Sequence, residues 1–168
     1  MTTHAFGMYG MFGPAADPFN FANFCQRVKA LGIDIQGSPY RDYDTATIAA
    51  AIKQLPASDE IFVFGASLGA NNSPVVAALV APRRVSIWGF QASVWGAQYP
   101  VPKNVSFAHE AYNPNFAETL GLGFYEWTKG PGFDGKMVLT ANSDLHPGDY
   151  DIAVQNMFLD DMKRIMAS

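Results

Sequence analysis

Ile61-Phe62-Val63-Phe64-Gly65-Ala66-Ser67-Leu68-Gly69-Ala70 is the stretch on which the fold turns. Four apolar residues follow one another without a polar interruption, the pattern of a strand buried on both faces of a sheet. A Gly-x-Ser-x-Gly turn ends the run, and residues 71–80, Asn-Asn-Ser-Pro-Val-Val-Ala-Ala-Leu-Val, then read as a helix. Strand, serine at a tight turn, helix is the context that a nucleophile elbow requires. Gly65 and Gly69 suit such a turn, because it strains the backbone at the serine and leaves no room for a Cβ on either side. The alternative is an ordinary glycine-bounded turn with a bystander serine.

Working outward, the 168 residues suffice for one domain, 1–168, with a core that needs neither disulfide nor metal. Charged residues make up only 15%, so much of the surface polarity must come from Asn, Gln, Ser, Thr and backbone. A net charge of −4 without any basic cluster argues against nucleic acid as a partner. Cys25, the single cysteine, reads as a small core residue of a helix. Three histidines and one cysteine, none at ligand spacing, predict no metal site, and no cofactor is expected. The start, Met1-Thr2-Thr3-His4, lacks the pattern of a signal peptide, and no apolar run reaches membrane-spanning length. The expectation is a soluble, cytoplasmic protein.

In chain order, His4 to Tyr9 reads as a first strand, followed by a Gly- and Pro-rich loop. Asp17-Pro18 opens a helix with Phe21, Phe24, Val28 and Leu31 on one face, ended by Gly32. A short strand, 32–36, precedes a second helix, 45–55. After the central strand and its helix come strands at 84–88, 104–108 and 136–140. Ile152, Val154, Phe158, Met162 and Ile165 form the apolar stripe of a terminal helix. Strands alternating with helices predict a three-layer α/β/α sandwich around a mostly parallel sheet of about six strands. Residues 91–103 and 116–135 break the alternation and are rich in aromatics. With Trp88, Phe90 and Tyr112 beside them, these either wall an apolar pocket or seal the sheet as ordinary core.

This order of elements, with the elbow at its centre, resembles the α/β-hydrolase family in a short form without a cap domain. The resemblance implies that Ser67 is the nucleophile and that the Leu68 amide is one oxyanion donor. A second amide comes in that family from the loop after the early strand, where this chain has Tyr9-Gly10-Met11, so Met11 is the match. The family's histidine follows the last strand, and His146 stands there, in Ala141-Asn142-Ser143-Asp144-Leu145-His146-Pro147-Gly148. His146 would take the Ser67 proton and return it to the leaving group. His4 and His109 occupy other positions.

The acid departs from the pattern. His109-Glu110-Ala111-Tyr112-Asn113-Pro114 puts Asn113 where the family has an aspartate. The family's other location reads Gly89-Phe90-Gln91-Ala92 and offers no acid. Glu110 is the nearest carboxylate in sequence and the candidate to substitute as the triad acid, and Asp144 lies closest to His146. An amide orients an imidazole but does not stabilise the imidazolium as a carboxylate does. Tyr9, Trp88 and Tyr112 are the candidate substrate-binding residues.

The leading expectation is therefore a serine hydrolase for a small or medium ester or thioester, working through an acyl-enzyme on Ser67. The second is a catalytically weak or inactive binding module on the same scaffold, favoured by Asn113. A nucleotide-binding domain lacks its motif, since neither Gly-x-Gly-x-x-Gly nor a Gly-Lys-Ser/Thr loop occurs.

Overall fold

Six strands form one sheet in the order β2-β1-β3-β4-β5-β6, and every neighbouring pair is parallel. In this computed structural model they are β1 (Thr3–Met8), β2 (Asp34–Ile35), β3 (Glu60–Ala66), β4 (Val85–Phe90), β5 (Val105–Tyr112) and β6 (Lys136–Ala141). The helices among the described residues are α1 (Phe21–Lys29), α2 (Thr45–Gln54), α3 (Leu68–Leu79) and α4 (Ile152–Met166). The structure describes residues 1–10, 21–36, 40–41, 43–92, 97–114, 126–142 and 152–168.

Alternation along the strands divides the core into two layers. On one face Phe62, Phe64, Trp88 and Phe90 meet Phe24 and Val28 of α1 and Phe158 and Met162 of α4. The rings interlock, with Phe24 edge-on to Phe64 at 5.2 Å and Phe90 against Phe158 at 4.5 Å. On the other face Ile61, Val63 and Ile87 meet Ile48 and Ile52 of α2 and Val76 and Ala77 of α3. Helices thus cover both faces of a parallel sheet, which is the expected three-layer α/β arrangement. No helix among the described residues is long and apolar enough to cross a membrane.

Two of the differences in extent from the sequence reading bear on the site. Helix α3 begins at Leu68, directly behind the serine, three residues earlier than its apolar pattern suggested. Strand β5 runs on to Tyr112 instead of stopping at Ala108, so His109 and Glu110 are interior strand residues. Both have tertiary partners, described below, that make a polar pair tolerable inside the sheet. Trp88 is also a correction in place: it is fully buried in the middle of β4, 4.9 Å from Phe62 and 5.7 Å from Phe107 between ring centres. Core packing, the second of the two readings for the aromatics, holds for Trp88, Phe90 and Trp127. The helix-opening Asp17-Pro18 lies outside the described residues.

Candidate functional site

Strand order reverses between β1 and β3. From β1 the chain goes outward to β2, returns to β3 on the other side, and continues away to β6. The helices after β1 and β3 lie on opposite faces, α1 on one and α3 on the other. This reversal is the topological switch point of the sheet, and parallel α/β sheets bind ligands at the carboxyl ends of the strands beside such a point. Ser67 closes β3 there, and Gly10 leaves β1 there.

Ser67 has φ 51° and ψ −118°. That backbone state is the first central position of a type II′ turn, which glycine ordinarily fills. A side chain here is strained, at a cost of about 1–3 kcal/mol. Packing around the turn enforces it. A Cβ on Gly65 would lie 2.3 Å from the Gly69 carbonyl, and one on Gly69 would lie 2.4 Å from the Met8 oxygen and 2.5 Å from that of Tyr9. Only with both positions bare does α3 sit this close to β1 and β3. The Ser67 N–H donates to the Phe90 carbonyl at 2.9 Å, and the Asn71 N–H donates to the Ser67 carbonyl at 3.2 Å.

The surroundings of the hydroxyl are equally close. Gly10 lies so near that a Cβ there would be 3.0 Å from the Ser67 Cβ and 3.5 Å from its Oγ. Leu68 is the first residue of α3, in the turn whose N–H groups have no acceptor within the helix. The positive end of the helix dipole consequently lies at Ser67, where negative charge is favoured. Met11, the other expected oxyanion donor, lies outside the described residues, as do His146 and Asp144.

Glu110 is placed otherwise than a loop acid would be. It is fully buried inside β5, level with Gly89 of β4 and, through it, with Gly65. Its Oε2 accepts the Trp127 N–H at 2.7 Å and its Oε1 the Ala92 N–H at 3.3 Å. The carboxyl so joins the segment after β4 to the one leading into β6. Burial pushes its pKa up to about 8; the two backbone donors pull the other way, and the Glu126 charge adds to the rise. Asn113 is buried just beyond the carboxyl end of β5. Tyr112, half-buried beside it, hydrogen-bonds Glu126, and desolvation followed by the Glu126 and Glu110 charges raises its hydroxyl. Tyr9 is buried with its ring 5.3 Å from Phe21, so it supports the site from the α1 side.

The other two histidines have structural partners away from Ser67. His4, near the amino end of β1, meets Asp34 through Nδ1 and Asp59 through Nε2, both at 3.0 Å. It ties β1 to β2 and to the segment entering β3, at the amino ends of the strands and away from Ser67. His109 donates from Nδ1 to Asp161 of α4 at 2.6 Å, and its Nε2 meets the Thr140 hydroxyl of β6 at 2.8 Å. Hydroxyl, imidazole and carboxylate stand here in the order of a catalytic relay. The relay lies on the α4 face against Phe158, level through Trp88 with Phe64, three residues short of Ser67. Its effect is to fasten the terminal helix to the sheet.

Sequence reasoning missed Gln91. It is the second of the described non-glycine residues with positive φ, at 52°, and it follows β4 as Ser67 follows β3. Ser67 is marked in the sequence by glycines two residues away on each side, whereas Gln91 carries no such pair. A separate apolar groove of about 410 Å³ runs between α3 and the segments around 99–103 and 130–131. Its lining includes Pro74, Leu79, Tyr99 and Pro100 but none of the site residues. Among the described residues no cluster of His, Cys, Asp and Glu is arranged to hold a metal ion.

The site and fold together define an α/β protein with a strained serine at the switch point of its sheet. No protein-family model matches the chain, and neither a curated protein nor a solved structure does.

Proposed function

We propose that the protein is a serine hydrolase of small or medium esters or thioesters. The Ser67 Oγ attacks the carbonyl carbon while His146 takes its proton. The leaving alcohol or thiol departs with that proton, and water, deprotonated in turn by His146, releases the acid. The observation that carries this reading is the backbone of Ser67: a non-glycine residue held at φ 51°, ψ −118°, at the amino end of a helix and the switch point of the sheet. Strain of this kind persists where the surroundings over-determine it, and it gathers at functional sites. The choice of His146 rests on its place after β6 and on the engagement of the other two histidines, His4 and His109, elsewhere. The reaction needs no metal or cofactor, and the partner is the ester itself.

The acid is the weak member. Glu110 already accepts two backbone amides and favours its neutral form at pH 7, so it serves better as a strut than as the partner of an imidazolium. Asn113, at the end of β5, supports the second reading, a slow enzyme or a binding module on this scaffold. Turnover of a small activated ester by wild type, Ser67→Ala, His146→Ala and Asn113→Asp tests both. The first reading expects the two alanine variants to lose similar activity, several orders of magnitude, because the pair acts as a unit. A slow wild type accelerated by Asn113→Asp supports an enzyme limited by its missing acid. A wild type without turnover, not rescued by Asn113→Asp, leaves the binding module.

A further inference from the structure

We propose that the Gln91 carboxamide is a recognition group of this site, donating a hydrogen bond to a second oxygen of the bound ester, beyond the scissile carbonyl. The inference rests on the hydrolase reading of Ser67 and adds a substrate class to it: esters oxygenated near the carbonyl rather than plain hydrocarbon ones.

Four observations converge on Gln91. The first is position. Ala66 lies opposite Phe90 in the β3–β4 register, so the next residues out of the two strands, Ser67 and Gln91, emerge side by side. The Ser67 N–H bond to the Phe90 carbonyl fixes that adjacency, and the Gln91 N–H bond to the Ala111 carbonyl at 2.8 Å fixes it to β5. Neighbouring strands are about 4.8 Å apart, so a group at Gln91 lies within a few bonds of an ester carbonyl held at Ser67. The second is conformation. Gln91 shares with Ser67 the positive φ that no other described non-glycine residue has, a state that costs free energy and collects at ligand-binding positions.

The third is an unmet donor. The Gln91 Nε2 is buried and has no hydrogen-bond partner among the described residues. Among the described residues this donor is therefore free to take an acceptor that a ligand brings. The fourth is rigidity. The next residue, Ala92, is fully buried and its N–H is held by the Glu110 carboxyl at 3.3 Å. Gln91 is thus braced on both sides. A neutral N–H₂ group in such a place selects an acceptor, a carbonyl, ether or hydroxyl oxygen, and gives nothing to a methylene.

The test uses matched pairs that exchange one methylene for an ether oxygen. Methoxyacetate against butyrate, both as aryl esters, places the oxygen on the acyl side; 2-methoxyethyl against butyl butyrate places it on the alcohol side. kcat/KM is measured for wild type, Gln91→Met, which keeps length without the donor, and Gln91→Gly, which also relieves the backbone. Within each pair the ratio cancels the substrate's intrinsic reactivity when wild type and variants are compared. We expect the oxygenated partner of one pair to lose about tenfold of its relative preference in both variants, the scale of one hydrogen bond, with the hydrocarbon partner little changed. Gln91→Gly should melt no lower than wild type, so that a loss there is not a loss of fold. Unchanged preference in both pairs, with hydrocarbon esters still cleaved, overturns the assignment of Gln91 and leaves the hydrolase reading standing. No cleavage of any ester by the wild type overturns both.

Discussion

The Ser67 amide is bonded to the Phe90 carbonyl across the ends of β3 and β4, at 2.9 Å. This bond means that the strained turn is fixed by the sheet itself rather than by a surface loop. The helix behind it is fixed by glycine contacts, and the strand beside it by the buried Glu110. Each of these supports yields a separate expectation.

Close approach at the turn predicts that a single added carbon is not tolerated. Gly69→Ala would put a Cβ within 2.5 Å of two backbone carbonyls, and Gly65→Ala would put one 2.3 Å from a third. Backbone has no rotamer to give way, so each variant should lose at least about 2 kcal/mol in denaturant unfolding, and activity with it. A variant with unchanged midpoint and turnover would mean that the turn is looser than described.

Strain at Ser67 predicts opposite effects for two substitutions there. Ser67→Gly relieves a conformation costing about 1–3 kcal/mol and loses about 0.5–1 kcal/mol to chain entropy, for a net gain of about 1 kcal/mol. Ser67→Ala keeps the strain and gains nothing. Both should abolish turnover. Urea midpoints of the three proteins decide the matter, and a glycine variant no more stable than the alanine variant would contradict a strained elbow.

Glu110 gives the protein a pH dependence of definite sign. Its pKa is raised from an ordinary 4.5 to about 8, so the native state holds a proton that the unfolded chain has released in that window. Stability from this group is complete below about pH 4.5, declines as pH rises, and is gone above about 8, with a slope of at most one proton. Glu110→Gln should flatten the slope between pH 5 and 8. It should also lower stability throughout, by about 1–3 kcal/mol, since its amide nitrogen faces one of two backbone donors. A slope identical in wild type and variant would assign the pH dependence to another group.

The two remaining histidine roles separate cleanly. His109→Ala breaks the link between α4, β5 and β6 and should cost about 1–3 kcal/mol in unfolding experiments, with the residual folded enzyme still active. His146→Ala should leave the melting temperature near that of wild type and remove turnover. An exchange of these two effects would place the general base on the α4 face.

How far the sequence reveals this follows from how local each signal is. The central strand, the serine turn and α3 follow one another within residues 60–79, and they form in that order as read, with α3 starting three residues early. The end of β5 is not legible. His109 and Glu110 look like loop residues, but their partners Thr140, Asp161, Ala92 and Trp127 lie 17 to 52 positions away, and only the folded sheet brings them in. The same distance hides the interior position of Trp88 and the strained state of Gln91.

The most direct test of the central claim is mass spectrometry of the intact protein and its peptides after incubation with a fluorophosphonate, which labels only activated serines. The account predicts a single adduct, on Ser67, present in wild type and absent from Ser67→Ala. An adduct that survives Ser67→Ala, or a wild type that stays unlabelled at saturating probe, would contradict it.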